Sequence, residues 1–184
     1  MEPYPGFFIL LRSPFSFRNC GLAANSFCAI RGKVLSMPTG DPFLQAAIEE
    51  ARKGITEGGI PIGSVIVHSG NIIGRGHNRR VQKGSAILHG EMDALENAGR
   101  ESAAVYREST LYTTLSPCSM CSGAILLYRI PRIVIGENQT FMGEEELLRA
   151  RGVSIQVVQS DECIQMMEEF IRKNPTLWNE DIGV

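Results

Sequence analysis

Two short motifs hold residues that could do chemistry together: His89-Gly90-Glu91 and, twenty-five residues later, Pro117-Cys118-Ser119-Met120-Cys121. One imidazole and two thiols form a nitrogen–sulfur donor set suited to Zn²⁺, and three protein ligands leave the fourth tetrahedral position open to water, as in a catalytic site. Cys118 and Cys121 are three apart, so on the first turn of a helix that starts at Pro117 they share a face and reach one ion. Such a helix start favours thiolates, because its N–H groups and the positive end of its dipole lower thiol pKa. Two thiolates cancel the ion's charge, which leaves His89 to bind as neutral imidazole. The ion lowers the pKa of its water toward neutrality and so supplies a nucleophile at working pH. Glu91, two residues from a ligand, is placed to carry that water's proton. The chemistry implied is hydrolysis with one zinc per chain.

Other readings of these residues exist. A lone C-x-x-C could be a thioredoxin-like redox pair or half of a structural zinc site. The redox reading leaves His89-Gly90-Glu91 unexplained, and the remaining Cys and His do not recur at zinc spacing. A non-enzymatic zinc-stabilised module would need no glutamate at the base position. His68 reads as a turn residue and His77 as a packed side chain. Cys20, Cys28 and Cys163 read as plain thiols, and Met166, Met167 and Phe170 as the core stripe of a helix.

The elements that must position the motifs are legible from Asp41 onward. Asp41 is placed to cap a helix with Pro42 at its first position. Phe43, Ala47, Ile48, Ala51 and Ile55 give that helix one apolar face, and Gly58-Gly59 ends it. Residues 62–67 and 71–76 read as strands of a hairpin turning at His68-Ser69-Gly70. A basic, polar loop follows to Leu88, so His89 stands where a loop becomes the helix GEMDALENA. After Gly99 and a polar connection, residues 110–115 read as a strand, 117–128 as a helix and 132–137 as a strand. A short helix at 144–152, a strand at 153–158 and an amphipathic helix at 161–175, capped by Asp161 and ended by Pro175, complete the chain. Strands alternating with helices predict an α/β layered domain with a mixed sheet.

At 184 residues, 43% hydrophobic and 21% charged, the chain suits one globular domain with a real core. No apolar run approaches a membrane span, and scattered cysteines suit a reducing compartment. Cytoplasm, with the nucleus, is the expected location. The first forty residues carry +3; with a chain total of −2, residues 41–184 carry −5. Their Arg and Ser content and FFILL at 7–11 resemble an organelle transit peptide, but a disordered extension, or translation starting at Met37, is the preferred reading. The expected organisation is therefore an extension over 1–40 and a zinc-dependent domain over 41–184.

H-x-E followed by P-C-x-x-C is the signature of zinc nucleobase deaminases, in which the glutamate is acid and base rather than ligand. From about Asp41 to Val184 the chain resembles the fungal cytosine deaminases. The likeness is carried by EGGIPIG at 57–63, GRGHNRRVQKGSAILHGE at 74–91, TLYTTLSPCSMCSGAI at 110–125, GEN at 136–138 and WNEDIG at 178–183. It implies a three-layer α/β/α fold around a five-stranded mixed sheet, cytidine-deaminase-like, in a homodimer. It implies hydrolysis of cytosine to uracil and ammonia in pyrimidine salvage. It also implies four substrate-binding residues: Asn78 bonding the pyrimidine, Asp181 receiving the exocyclic amine, and Phe141 and Trp178 closing over the ring. Around Phe141 the chain reads FMGEEE, one residue shorter than the yeast-type pattern. A tail TLWNEDIGV folded over the pocket would exclude a ribose, so its removal is expected to cost more turnover than folding. tRNA adenosine deaminases and guanine deaminases share the zinc signature, but a domain at −5 without a basic patch suits no polyanion. Neither nucleic acid nor a membrane is expected as a partner.

Overall fold

Residues 40–184 are described by the computed structural model. The expectations for residues 1–39, including Cys20 and Cys28, lie outside them. Helix α1 (Pro42–Thr56) starts as the sequence dictates, with the Asp41 carboxylate accepting a hydrogen bond from the Phe43 N–H at 2.9 Å. Its inner face is Leu44, Ala46, Ala47, Ile48 and Ala51. Ile55, expected on that face, is 47% exposed and lies outside the apolar cluster that Leu44, Ala46, Ala47 and Ile48 join.

Strands β1 (Gly63–His68) and β2 (Asn71–His77) form the expected hairpin. Its two-residue turn holds Ser69 and Gly70 at positive φ, 49° and 76°, whose twist matches that of the flanking strands. The supposed loop that follows contains one extra turn of helix, α2 (Arg80–Lys83), closed by Gly84 in the left-handed conformation. The polar connection before β3 (Ser109–Leu115) likewise holds α4 (Ala103–Arg107), whose first turn is capped by Ser102. Both helices are about one turn long, too short for an apolar period to reveal.

The rest comprises α3 (Gly90–Ala98), α5 (Ser119–Tyr128), β4 (Arg132–Glu137), α6 (Glu145–Ala150), β5 (Ser154–Val157), α7 (Asp161–Lys173) and α8 (Pro175–Ile182). Ser160, not Asp161, stands at the cap position of α7. Pro175, expected to end the last helix, opens α8 instead: proline cannot continue one helix but its fixed φ suits the first turn of the next.

The five strands lie in the order β2-β1-β3-β4-β5. β1 is antiparallel to both β2 and β3, while β3, β4 and β5 run parallel. Because strand side chains alternate, Ile66, Leu111, Ile133 and Ile135 pack against Ala94 of α3, Ile125 of α5 and Leu148 of α6. Val65, Val67, Tyr112 and Val134 face the other way, against α1 and Cys163 of α7. The architecture is the expected three-layer α/β/α sandwich. A third cluster, Ile60, Ile62, Leu115, Met167 and Trp178, fills the edge where β3 ends and β1 begins. Ligand sites of open α/β sheets lie at the carboxyl ends of the parallel strands, and here that edge is covered by α8.

Candidate active site

Two helix starts meet at this edge. His89 is the residue preceding α3, and Cys118 is the residue preceding α5, with Cys121 in its first turn. A ring nitrogen of His89 and the two Sγ atoms lie within 4.8 Å of one another. His89 Nδ1 stands 3.5 Å from Cys118 Sγ, close to the roughly 3.5 Å that separates nitrogen and sulfur ligands on a tetrahedral zinc. His68 and His77 are outside the cluster. His77 is the packed side chain expected, buried with Nε2 2.9 Å from Glu57 and Nδ1 3.4 Å from Glu50.

Glycine between His89 and Glu91 has a packing reason. A Cβ on Gly90 would lie 2.9 Å from the Ile62 carbonyl oxygen and 3.2 Å from Ser64 Oγ, so a side chain there would push α3 off β1. The close approach buries Glu91, whose Oε1 accepts a hydrogen bond from the Thr113 hydroxyl at 3.2 Å. Its Oε2 meets the Cys121 thiol at 3.3 Å. Burial, and then the negative charge at Cys118, raise the Glu91 pKa.

The thiols divide their roles before an ion binds. The neighbouring Cys121 thiol, and then the bond to His89, bring Cys118 down to about 4. Cys121, as donor and buried, is pushed well above the ordinary thiol value. The expectation that the helix start favours thiolates, with the metal completing the deprotonation, agrees with a lowered Cys118 and a Cys121 that keeps the second proton until a bound cation would displace it. Its departure also frees Glu91 Oε2 from the thiol donor, while Thr113 keeps hold of Oε1. For His89, burial lowers the pKa, but the bond to Cys118 and the Asp181 charge outweigh it and the net shift is upward.

Around these groups lies a small pocket, with a cavity of only about 20 Å³, lined by Ile62, Leu115, Ser116, Phe141, Trp178, Asp181 and Ile182 besides His89, Cys118 and Glu91. Phe141 reaches it because its loop is pinned at both ends. The buried Glu137 carboxylate accepts from the Gln139 N–H at 2.6 Å, the Thr140 N–H at 3.0 Å and the Thr140 hydroxyl. On the far side the Gly143 N–H donates to Ser116 Oγ and the Glu144 N–H to the Pro117 carbonyl. Phe141 meets Trp178 edge to face, with centroids 5.8 Å apart at 86°. The shorter loop therefore still delivers its aromatic ring. Asn78, fully buried just after β2, donates from Nδ2 to Asp181 Oδ1 at 2.9 Å.

The cytidine and deoxycytidylate deaminase zinc-binding region family matches residues 37–137. The chain belongs to that family. It is 57% identical to the cytosine deaminase of Candida albicans over 141 residues, 76% of this chain and 94% of that protein. A tRNA-specific adenosine deaminase of Streptococcus pyogenes is 40% identical over 141 residues, 71% of this chain and 89% of that one. The solved guanine deaminase of Nitrosomonas europaea shares the fold, with a TM-score of 0.60 at 23% identity, covering 75% of this chain and 86% of its own.

Membership makes the chain a zinc-dependent enzyme, and its donor set fits the ion on chemical grounds. The structure brings all eight residues singled out in the sequence to one edge of the sheet. Sequence reasoning missed Thr113, which holds Glu91, and Arg80, which holds Asp181. Thr113 lies inside a strand pattern that already accounts for it. Arg80 lies in a basic loop whose fold has no periodic signal.

Proposed function

We propose that this chain hydrolyses free cytosine to uracil and ammonia, in pyrimidine salvage. The observation that carries the reading is the roof: α8 lays Trp178, Asp181 and Ile182 over a small cavity that already holds Glu91 and reaches the metal ligands. Such a lid suits a free base better than a ribose or a nucleic-acid backbone. The 57% identity with the Candida albicans cytosine deaminase supports the same substrate.

In this proposal His89, Cys118 and Cys121 hold one zinc, which when bound supplies an activated water and draws charge from the developing tetrahedral carbon. Glu91 takes the proton of the attacking water at Oε2, delivers it to the ring nitrogen beside the amine-bearing carbon, and then carries the proton of the new hydroxyl to the amine, so that the C–N bond breaks with ammonia leaving and the carbonyl of uracil forming. Burial and a raised pKa suit a carboxyl that must hold a proton between two transfers. Asn78 bonds the pyrimidine edge, Asp181 accepts from the exocyclic amine that departs as ammonia, and Phe141 and Trp178 enclose the ring.

We also propose a homodimer. Helix α5 is apolar around most of its circumference, with Ile125 buried but Leu127 74% exposed, and such a helix is expected to be covered on all sides. A cytoplasmic or nuclear location is proposed on cysteine usage alone, and residues 1–40 as an extension to the catalytic domain. Ammonia release from cytosine, cytidine, guanine and a tRNA anticodon stem tests the substrate. Turnover of cytosine alone supports the reading; deamination of the anticodon stem in preference to cytosine replaces it with the tRNA activity of the Streptococcus pyogenes relative.

A further inference from the structure

Asp181 receives more contacts than a substrate acceptor needs, and all on one oxygen. Its Oδ1 accepts from Asn78 Nδ2 at 2.9 Å and from Arg80 Nη1 at 3.1 Å, and His89 Nε2 lies 3.7 Å away. Among the described residues no hydrogen bond reaches Oδ2. The Asp181 side chain is 2% exposed and that of Arg80 22% exposed, so this is a largely desolvated ion pair at the pocket wall. Arg80 makes a second link: its backbone N–H donates to Asn78 Oδ1 at 3.1 Å. Asn78, Arg80 and Asp181 therefore close a ring of three hydrogen bonds between the end of β2, the start of α2 and α8.

A carboxylate on a single χ1–χ2 pair can present either oxygen to a pocket, and which one it presents depends on what holds the other. With two donors on Oδ1, rotation of the carboxylate would break a charge-assisted bond and strand a guanidinium whose Nε is already buried without a partner. We propose that Arg80 is a positioning residue for substrate selection: by fixing Oδ1 together with Asn78, it holds Asp181 so that Oδ2 faces the pocket as a hydrogen-bond acceptor. This rests on the cytosine reading for the identity of the donor, an exocyclic amine. The same fixed oxygen discriminates substrate from product. A carboxylate oxygen attracts the N–H of an amine and repels the carbonyl oxygen that replaces the amine after hydrolysis, so the Arg80 clamp favours cytosine over uracil at one site. A carboxylate free to turn would lose that preference.

The test uses zinc-loaded full-length protein. Arg80→Met keeps the aliphatic stem and removes the donors; Arg80→Ala leaves room for a soluble guanidinium ion. Both are expected to retain zinc and to lose about 10- to 100-fold in kcat/KM for cytosine, the size of a hydrogen bond to a charged group. Competitive inhibition by uracil should hold or tighten, since the repulsion has been relaxed. Added guanidinium at concentrations harmless to the wild type should restore part of the Arg80→Ala loss. In an Asp181→Asn background, Arg80→Met should cost little more, because its effect acts through the carboxylate. Wild-type kcat/KM in both Arg80 variants would overturn the proposal. So would losses that multiply in the double variant, or uracil affinity falling in parallel with cytosine turnover, which marks a general loosening of the pocket. A wild type that deaminates a different base refutes the cytosine reading alone, and the same cycle is then run with that base and its oxo product.

Discussion

At the residue scale the site is a division of labour among acids. Glu91 is buried, with Oε1 tied to Thr113, and is not one of the three clustered ligands. Glu91→Gln should therefore keep zinc and fold while losing roughly 10²–10⁴-fold in turnover, the range of a general acid–base group; near-normal activity in the zinc-loaded variant would remove Glu91 from the reaction. Cys118→Ala, by contrast, should lose the metal, as read by metal analysis. The two thiols also predict a labelling order. After chelation, at about pH 6, Cys118 with its pKa near 4 is thiolate, whereas Cys163, raised to about 11 by burial, is not. Iodoacetamide should alkylate Cys118 well ahead of Cys163, and zinc should suppress the reaction; equal labelling of the two would contradict the assigned proton sharing. Ligand identity is legible in the sequence because donor type and spacing are local. The partition of protons is not, since it depends on Cys121 facing both Cys118 and Glu91 across space.

At the element scale, long periodic stretches and caps are legible, and one-turn helices are not. The tail is the instructive case. The sequence suggests a lid, and the structure does place Trp178, Asp181 and Ile182 on the pocket. Trp178 is also 6% exposed in a cluster with Ile60, Ile62, Leu115 and Met167, so α8 is part of the core as well as a cover. Truncation after Asn174 should for that reason cost stability along with turnover, against the expectation of a loss chiefly in turnover. Trp178→Ala alone should destabilise by about 3 kcal/mol or more, the usual cost of emptying a buried tryptophan site, measured by denaturant midpoint on the zinc-loaded protein. An unchanged midpoint would return the tail to the role of a mere lid. Sequence alone could not tell a lid from a core element, because the aromatic residue that closes a pocket and the one that fills a core are the same residue here.

At the scale of the whole molecule, the strand order β2-β1-β3-β4-β5 brings together residues far apart in the described chain, joining Asn78 to Asp181 across 103 positions. Local pattern predicts strands and helices but carries no information on which strands are neighbours; the five-stranded sandwich was available only through resemblance. The same architecture bears on the first residues of the chain. α1 is capped by its own Asp41 side chain and Pro42, and its buried face is met by β1 and β3. The family match begins at residue 37. The charge changes sign nearby, from +3 over the first forty residues to −5 over the remainder. Removing residues 1–36 should accordingly leave zinc content and cytosine turnover unchanged, with a melting temperature within about 2–4 °C of the full chain, a difference of about 1 kcal/mol for a domain of this size. A larger fall in melting temperature, or a loss of turnover at full zinc occupancy, would mean that the segment packs on the catalytic domain and that its opposite charge serves as a contact.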